Sequence, residues 1–223
     1  MAEQTKTGWL RLLSLDILIA AVLCFIAIIL FAFVAHTIVL NKQDLFDTRF
    51  FQFFQQYTTP LHTRIALFIT FFGSGTFLLP FYLLVIIVLW FARKRNYAVI
   101  TGAIAIVSFI LGAVLKNLFQ RERPLLEHLD AAAGGYSFPS GHTLAIFTFA
   151  GMMMYHAWHT RWKTTARVGV CLFLWAFACL VGLSRIYLHV HFASDVLGGL
   201  CVTIIWLGIC FIYFHWGTKR WLV

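Results

Sequence analysis

The sequence predicts an all-α, polytopic membrane protein: a bundle of six transmembrane helices with a short extracytoplasmic interfacial helix. Of its 223 residues, 61% are hydrophobic and only 11% are charged. Soluble domains have about 45–50% apolar and about 25% charged residues, so a water-soluble protein of this size could not bury so much apolar surface. The apolar residues also fall in six long stretches without Asp, Glu, Lys or Arg. Residues 1–223 are therefore predicted to form a single integral membrane domain.

The six stretches have lengths close to the roughly 20 apolar residues that a helix needs to cross a bilayer. The predicted spans are Ile17–Asn41, Ile65–Ala92, Asn96–Leu115, Ser140–Thr160, Val168–Ser184 and Val196–Thr218. The first is longer than the apolar core of a signal peptide, so we expect it to be retained. The second contains Gly73-Ser74-Gly75 and Pro80, which predict a kink.

The segment from Asp44 to Tyr57 predicts the short interfacial helix on the outer membrane surface. Aromatic residues recur in it at helical spacing, and polar residues lie opposite them. The aromatic residues are Phe46, Phe50, Phe53, Phe54 and Tyr57, and the polar ones are Asp47, Gln52, Gln55 and Gln56. The alternative is an ordinary amphipathic helix that packs on the bundle.

The basic residues indicate the orientation of the bundle. The sequence contains seventeen Lys and Arg and eight Asp and Glu, which gives a net charge of +9. With the N-terminus inside, ten of the basic residues lie on the cytoplasmic side and seven outside, which favours cytoplasmic placement of both termini. No basic stretch is interleaved with aromatic residues as on a nucleic-acid surface, so nucleic acid is not an expected partner. The five cysteines lie in apolar stretches without a CxxC pattern, which predicts neither a disulfide framework nor a thiolate metal site.

Two polar clusters are predicted at the outer ends of the third and fourth spans. Lys116 and Arg123 are seven residues apart, so they share a face if the helix continues to Pro124, which we expect to end it. Ser140 is placed to cap the fourth helix, whose free N–H groups would then face outward. His142 follows in its first turn.

A third cluster lies between the fifth and sixth spans and completes a site of phosphate-binding chemistry. His191 and Asp195 are four residues apart, so the carboxylate can reach the imidazole if a helix begins there. Such a histidine is a nucleophile or base of fixed tautomer, and a second histidine can protonate a leaving oxygen. Lys116, Arg123 and Arg185 together suit a multiply charged anion, and the Arg fork matches phosphate. The predicted chemistry is phosphoryl transfer.

The motifs that carry these residues resemble those of the type 2 phosphatidic acid phosphatase superfamily. They are Lys116-x6-Arg123-Pro124, Pro139-Ser140-Gly141-His142 and Ser184-Arg185-x5-His191-x3-Asp195, within residues 116–195. The resemblance implies that His191 attacks phosphorus and forms a phosphohistidine, that Asp195 orients it, and that His142 transfers the proton. It also implies phosphoryl contacts from Lys116, Arg123, Ser140, Gly141 and Arg185, and chemistry without a metal or other cofactor.

The resemblance, which extends to bacterial phosphatidylglycerophosphate and undecaprenyl-diphosphate phosphatases, implies a membrane lipid phosphatase. The expected substrates are undecaprenyl diphosphate, phosphatidylglycerophosphate or phosphatidic acid, hydrolysed on the periplasmic face of the cell (inner) membrane. Leu125–Phe138 is expected to line the headgroup entrance, and the alternative is an ordinary solvated loop. The expected partners are the lipid substrate and the bilayer, and the oligomeric state stays open.

Several other functions remain as alternatives. A lipid-to-lipid phosphotransferase or a lipid A phosphatase would use the same motifs. Vanadium haloperoxidases share the signature but are soluble and larger. A metal site could draw on His128, His189, His191 and Asp195. A lipid-binding or transport protein could retain the site without turnover, although binding alone would not require both histidines and the aspartate.

Overall fold

The computed structural model describes residues 15–41, 45–131 and 134–221, and all regular secondary structure within these ranges is helical. The predicted all-α class is therefore confirmed. The helices are α1 (Leu15–Phe33, continued by a π-helical stretch Val34–Leu40), α2 (Leu45–Gln55), α3 (Pro60–Phe71), α4 (Gly75–Phe91), α5 (Arg95–Phe119), α6 (Gly141–Trp158), α7 (Thr164–Tyr187) and α8 (Ala193–Trp221).

Five helical segments within the described ranges are long and apolar enough to cross a membrane. They are Leu15–Leu40, Pro60–Phe91, Arg95–Phe119, Thr164–Tyr187 and Ala193–Phe214. They correspond to five of the six predicted spans, and large apolar side chains are exposed along all of them. The protein is therefore a multi-pass membrane protein.

Helix α6 corresponds to the remaining predicted span, and it lies at the centre of the bundle. It packs against α4, α5, α7 and α8. It also supplies five of the buried residues of the main apolar cluster, Ile146, Phe147, Phe149, Ala150 and Met152. Because protein surrounds most of α6, the helix can carry polar residues such as Thr148, whose hydroxyl lies 3.0 Å from that of Ser108.

The kink predicted in the second span is a complete break between α3 and α4. Helix α3 ends at Phe71, and the Ser74 hydroxyl caps α4 by accepting the Phe77 N–H at 3.3 Å. Pro80 lies in the second turn of α4, where it removes one intrahelical hydrogen bond while the helix continues to Phe91. The break lies beside the start of α6, since a Cβ atom at Gly73 would lie 3.4 Å from the Cβ atom of His142.

Helix α2 lies where the short helix was predicted, although Asp44 is outside the described residues. It packs against α7 and α8 and buries Phe51, while Phe46 and Phe53 stay exposed. The placement of Asp47 on an outward polar face was wrong, because its side chain is only 1% exposed and points into the bundle. An ion pair inside the protein holds it there.

Candidate active site

The three polar clusters meet at one end of the bundle around a cavity of about 540 Å³. The α3–α4 break, the end of α5, the loop before α6, the start of α6 and the α7–α8 connection form its wall. Six of the eight predicted site residues line it: Lys116, Arg123, Gly141, His142, Arg185 and His191. Ser140 and Asp195 lie behind this surface.

The end of α5 differs from the prediction that placed Lys116 and Arg123 on one helix face. Helix α5 ends at Phe119, because Gln120 adopts a left-handed conformation (φ 47°) and its N–H donates to the Lys116 carbonyl at 3.0 Å. The prediction that Pro124 ends the helix was therefore wrong. Lys116 projects from the last turn of α5, and Arg123 reaches the same cavity from the loop.

Lys116 and Arg123 are both held by backbone carbonyls of the loop that precedes α6. The Lys116 ammonium donates to the Tyr136 carbonyl. Arg123 donates from Nε to Gly135 at 3.0 Å and from Nη2 to Gly134 at 2.7 Å. Burial lowers the pKa of Arg123 from its ordinary value, and the nearby carboxylates of Asp195 and Asp130 oppose this shift. The part of the predicted entrance segment that the structure describes thus touches both cations.

Arg185 is almost fully buried at the end of α7 and is paired with an acid from the same loop. Its Nη1 donates to the Asp130 carboxylate at 2.9 Å and to the Thr70 hydroxyl at 2.7 Å. Among the described atoms, its Nε is buried without a hydrogen-bond partner. Asp130 also lines the cavity, so one carboxylate already lies among the three cations.

Ser140 caps α6 as predicted. Its hydroxyl oxygen accepts the Thr143 N–H at 3.4 Å and the Thr143 hydroxyl at 3.0 Å. Its own N–H donates to the Asp195 carbonyl at 3.0 Å. The side chain is fully buried and turned towards the helix, so its contact with a phosphoryl group stays a prediction. Gly141, the first residue of α6, does line the cavity.

His142 lies one residue further along α6 and packs against the α3–α4 break. A Cβ atom at Gly73 would lie 3.3 Å from His142 Cδ2 and 2.6 Å from Val181 Cγ1. The contact with Val181 would force a shift, so glycine lets the break pack this closely between α7 and His142. The Gly-Ser-Gly sequence predicted the kink, but it carried no signal that the kink supports His142.

His191 and Asp195 form the predicted hydrogen-bonded pair. His191 Nδ1 lies 3.2 Å from Asp195 Oδ2, which also accepts the Phe192 N–H at 2.9 Å. Helix α8 begins only at Ala193, so His191 precedes the helix that carries its partner. Burial lowers the pKa of His191 to about 4, although the hydrogen bond and charge of Asp195 act to raise it. The neutral ring with its proton on Nδ1 has its lone pair on Nε2.

The second oxygen of Asp195 is bound by Arg121, a residue that the sequence reasoning used only for topology. Arg121 Nη1 donates to Asp195 Oδ1 at 2.7 Å, and Nη2 donates to Asp47 at 2.8 Å. The position of Arg121 inside the first motif, between Lys116 and Arg123, was the only sequence signal for it. Asp47 carried none, since it is distant along the chain and was placed on the wrong face.

Two of the histidines considered for a metal site, His128 and His189, bind backbone carbonyls instead. His128 Nε2 lies 3.0 Å from the Pro124 carbonyl, and His189 Nδ1 lies 3.1 Å from the Glu127 carbonyl. Within the part of the chain that the structure describes, no three His, Cys, Asp or Glu side chains are grouped so that they could hold a metal ion.

Residues 96–219 match the PAP2 superfamily. The chain belongs to this superfamily. The PAP2 match contains all three motifs, and it covers every residue of the site except those from α2, from α3 and from the α3–α4 break with the start of α4.

Two curated relatives and one solved structure extend the PAP2 match. The chain is 33% identical over 132 residues to phosphatidylglycerophosphatase B of Bacillus subtilis (strain 168), over 59% of this chain and 64% of that protein. It is 27% identical over 141 residues to undecaprenyl-diphosphatase BcrC of the same organism, over 60% and 66%. The chain thus spans less than two thirds of either relative. The crystal structure of a transmembrane PAP2 type phosphatidylglycerolphosphate phosphatase from Bacillus subtilis superposes with a TM-score of 0.75 at 25% identity, over 90% of this chain and 97% of that chain.

Proposed function

We propose that this PAP2 protein is a membrane lipid phosphatase that works through a phosphohistidine on His191. One observation carries the proposal. The imidazole that Asp195 holds lies on the wall of a cavity that also contains three cationic side chains and a second histidine, His142. A nucleophile, an acid and charge stabilisation are the parts that phosphoryl transfer needs.

In the first step the substrate phosphoryl oxygens bind the three cations, exchanging with the loop acceptors that hold them. The lone pair of His191 Nε2 forms a bond to phosphorus as the bond between phosphorus and the leaving oxygen breaks. His142, in its protonated form, gives its proton to that oxygen, and the dephosphorylated lipid leaves. The cations stabilise the charge on the phosphoryl oxygens in the transition state.

In the second step water releases the phosphoryl group. Neutral His142 takes a proton from the water whose oxygen attacks phosphorus, and the bond from phosphorus to Nε2 breaks with its electron pair returning to the ring. The net reaction consumes one water and one phosphoester or phosphoanhydride bond. It yields inorganic phosphate and a lipid alcohol or a lipid monophosphate.

The form of the cavity supports a lipid as the substrate. Leu67 and Phe71 line it from α3, and their side chains are 38% and 47% exposed. The lipid chain of a substrate whose headgroup is in the cavity would therefore have apolar surface beside it. The names of the relatives favour undecaprenyl diphosphate and phosphatidylglycerophosphate, with phosphatidic acid as a further candidate and lipid A phosphates as the alternative.

We also propose a topology with six membrane crossings. Helix α6 would be the sixth, because its length of 18 residues corresponds to about 27 Å. The α4–α5 and α6–α7 connections, at the end opposite the cavity, carry clustered Lys and Arg. These ends would face the cytoplasm. The cavity would then open on the periplasmic side of the inner membrane, with both termini in the cytoplasm.

The test is phosphate release by detergent-purified protein from undecaprenyl diphosphate, phosphatidylglycerophosphate and phosphatidic acid. We expect phosphate release that persists in EDTA and is lost in His191→Ala. Release should be kept in Glu122→Gln, which changes an exposed acid of the loop between α5 and α6. Loss of the donor's phosphate to another lipid, without free phosphate, would identify a phosphotransferase instead. Substrate binding without any turnover would contradict the enzyme proposal and favour a binding or transport protein.

A further inference from the structure

A buried charge network extends from the His191–Asp195 pair to α2. Arg121 bridges two carboxylates, binding Asp195 with one terminal nitrogen and Asp47 with the other. We propose that Asp47 and Arg121 are positioning residues that hold the Asp195–His191 pair in its attacking geometry and balance the charge that develops on the ring. The inference rests on the proposed function, since it assigns a role in that same reaction.

Arg121 fixes the Asp195 carboxylate in one orientation. Its Nη1 binds Oδ1, so that Oδ2 is left to accept from His191 and from the Phe192 N–H. The guanidinium carbon lies 3.9 Å from the centre of the Phe192 ring, which packs against the planar group. With both Asp195 oxygens bound by donors that cannot move freely, the imidazole plane is fixed as well.

Asp47 holds the other side of Arg121 and the start of α8. Its Oδ1 accepts the Ser194 N–H at 2.8 Å, one of the free donors at that helix start. Its Oδ2 accepts the Ser194 hydroxyl at 2.6 Å and Arg121 at 2.8 Å. Ser194 precedes Asp195 directly, so the anchor of α2 on α8 also sets the backbone position of Asp195.

The charges of the network match the intermediate better than the resting pair. Two carboxylates and one guanidinium give a net charge of −1 beside a neutral His191. When Nε2 bonds to phosphorus and Nδ1 keeps its proton, the ring becomes cationic and the network becomes neutral. Without Asp47, the Arg121 charge would cancel that of Asp195, and the cationic ring would form without a balancing negative charge. In a buried site this difference is poorly screened.

The test compares Asp47→Asn with Glu122→Gln as a matched acid-to-amide control at an exposed position. Turnover is expressed per orthovanadate-binding site, so that misfolded protein does not count. We expect kcat per site to fall about 10- to 100-fold in Asp47→Asn with KM unchanged, which is a loss of about 1.4–2.7 kcal/mol in transition-state stabilisation. In the control we expect kcat per site to stay at the wild-type value. A merely structural role would reduce the number of sites and leave kcat per site unchanged.

Further variants keep the test decisive if Asp47→Asn folds poorly. Asp47→Glu should recover part of kcat, and Arg121→Lys should lose about as much as Asp47→Asn. The double variant Asp47→Asn/Arg121→Lys should lose less than the product of the single losses, because both act through one network. The inference would be overturned by additive losses in the double variant or by a wild-type kcat per site in the single variants. It would also be overturned if none of the variants had orthovanadate-binding sites. If wild-type protein releases no phosphate, the proposed function fails instead.

Discussion

Replacement of Asp195 by Asn should strongly reduce turnover, because the structure requires both carboxylate oxygens to be acceptors. Oδ1 accepts from the Arg121 guanidinium at 2.7 Å, and Oδ2 accepts from the Phe192 N–H at 2.9 Å. Neither of these donors can become an acceptor. An amide offers one acceptor and one donor, so in either orientation its NH₂ group faces a donor.

The two amide orientations give the range of the expected loss. With NH₂ towards His191, the ring proton moves to Nε2 and the nucleophilic lone pair is lost, an error that costs about 10⁴-fold in kcat. With NH₂ towards Arg121, the tautomer survives but the charged partner of the ring is lost. A hydrogen bond to a charged group contributes about 1.5–3 kcal/mol, which is about 10- to 150-fold in rate. The kcat of Asp195→Asn should therefore fall by about 10- to 10⁴-fold.

The assay is steady-state phosphate release in detergent, with substrate varied to separate kcat from KM. Glu122→Gln serves as the control for an acid-to-amide change, and thermal unfolding shows whether each variant is folded. We expect the loss in kcat, since Asp195 lies behind the cavity surface and does not contact the substrate. A folded Asp195→Asn protein with the kcat of the control would refute the assigned role of the pair.

Three further predictions follow from the geometry of the cavity. Gly73→Ala should destabilise the fold by about 1–3 kcal/mol through overpacking against Val181, and it should lower kcat because His142 packs against the same position; Gly169→Ala, where a Cβ meets nothing within 4 Å, should leave kcat unchanged and should not lower the melting temperature. Asp130→Asn should tighten orthovanadate binding about three- to tenfold, measured by competition against substrate, because it removes a carboxylate that competes for the cations. Burial lowers the pKa of His191 to about 4, below the roughly 6.5 of an unfolded histidine, so this group costs stability as pH falls from about 6.5 towards 4; detergent melts should show that loss in wild type and a weaker one in His191→Gln.

The parts of the site that local sequence rules govern were predictable. The three motifs each lie within twelve residues of chain, and the alternation of spans places them at one end of the bundle, where the structure brings them together. The contact between His191 and Asp195 needed only their spacing. The cap at Ser140 and the break after Gly73 likewise depend on neighbouring residues.

The parts that depend on distant contacts were not predictable from pattern. Asp47 lies 74 residues from Arg121 and 147 from Ser194, and no period in α2 distinguishes a buried, ion-paired acid from a solvated one. The prediction of where α5 ends was wrong for a local reason. The left-handed conformation of Gln120 ends the helix four residues before Pro124. An amphipathic pattern predicts a helix well, but it does not predict which of the helix's polar residues will be buried in an ion pair.

The most direct test of the central claim is to trap the phosphoenzyme. A His142→Ala variant is mixed with undecaprenyl diphosphate labelled with ³²P at its terminal phosphate, quenched in alkali, digested and analysed by mass spectrometry. A diphosphate suits this variant, because its leaving group needs little protonation, whereas the release step lacks its base. We expect label on His191, and none when His191→Ala is added. Consumption of the lipid with no labelled protein, or with label on another residue, would contradict it.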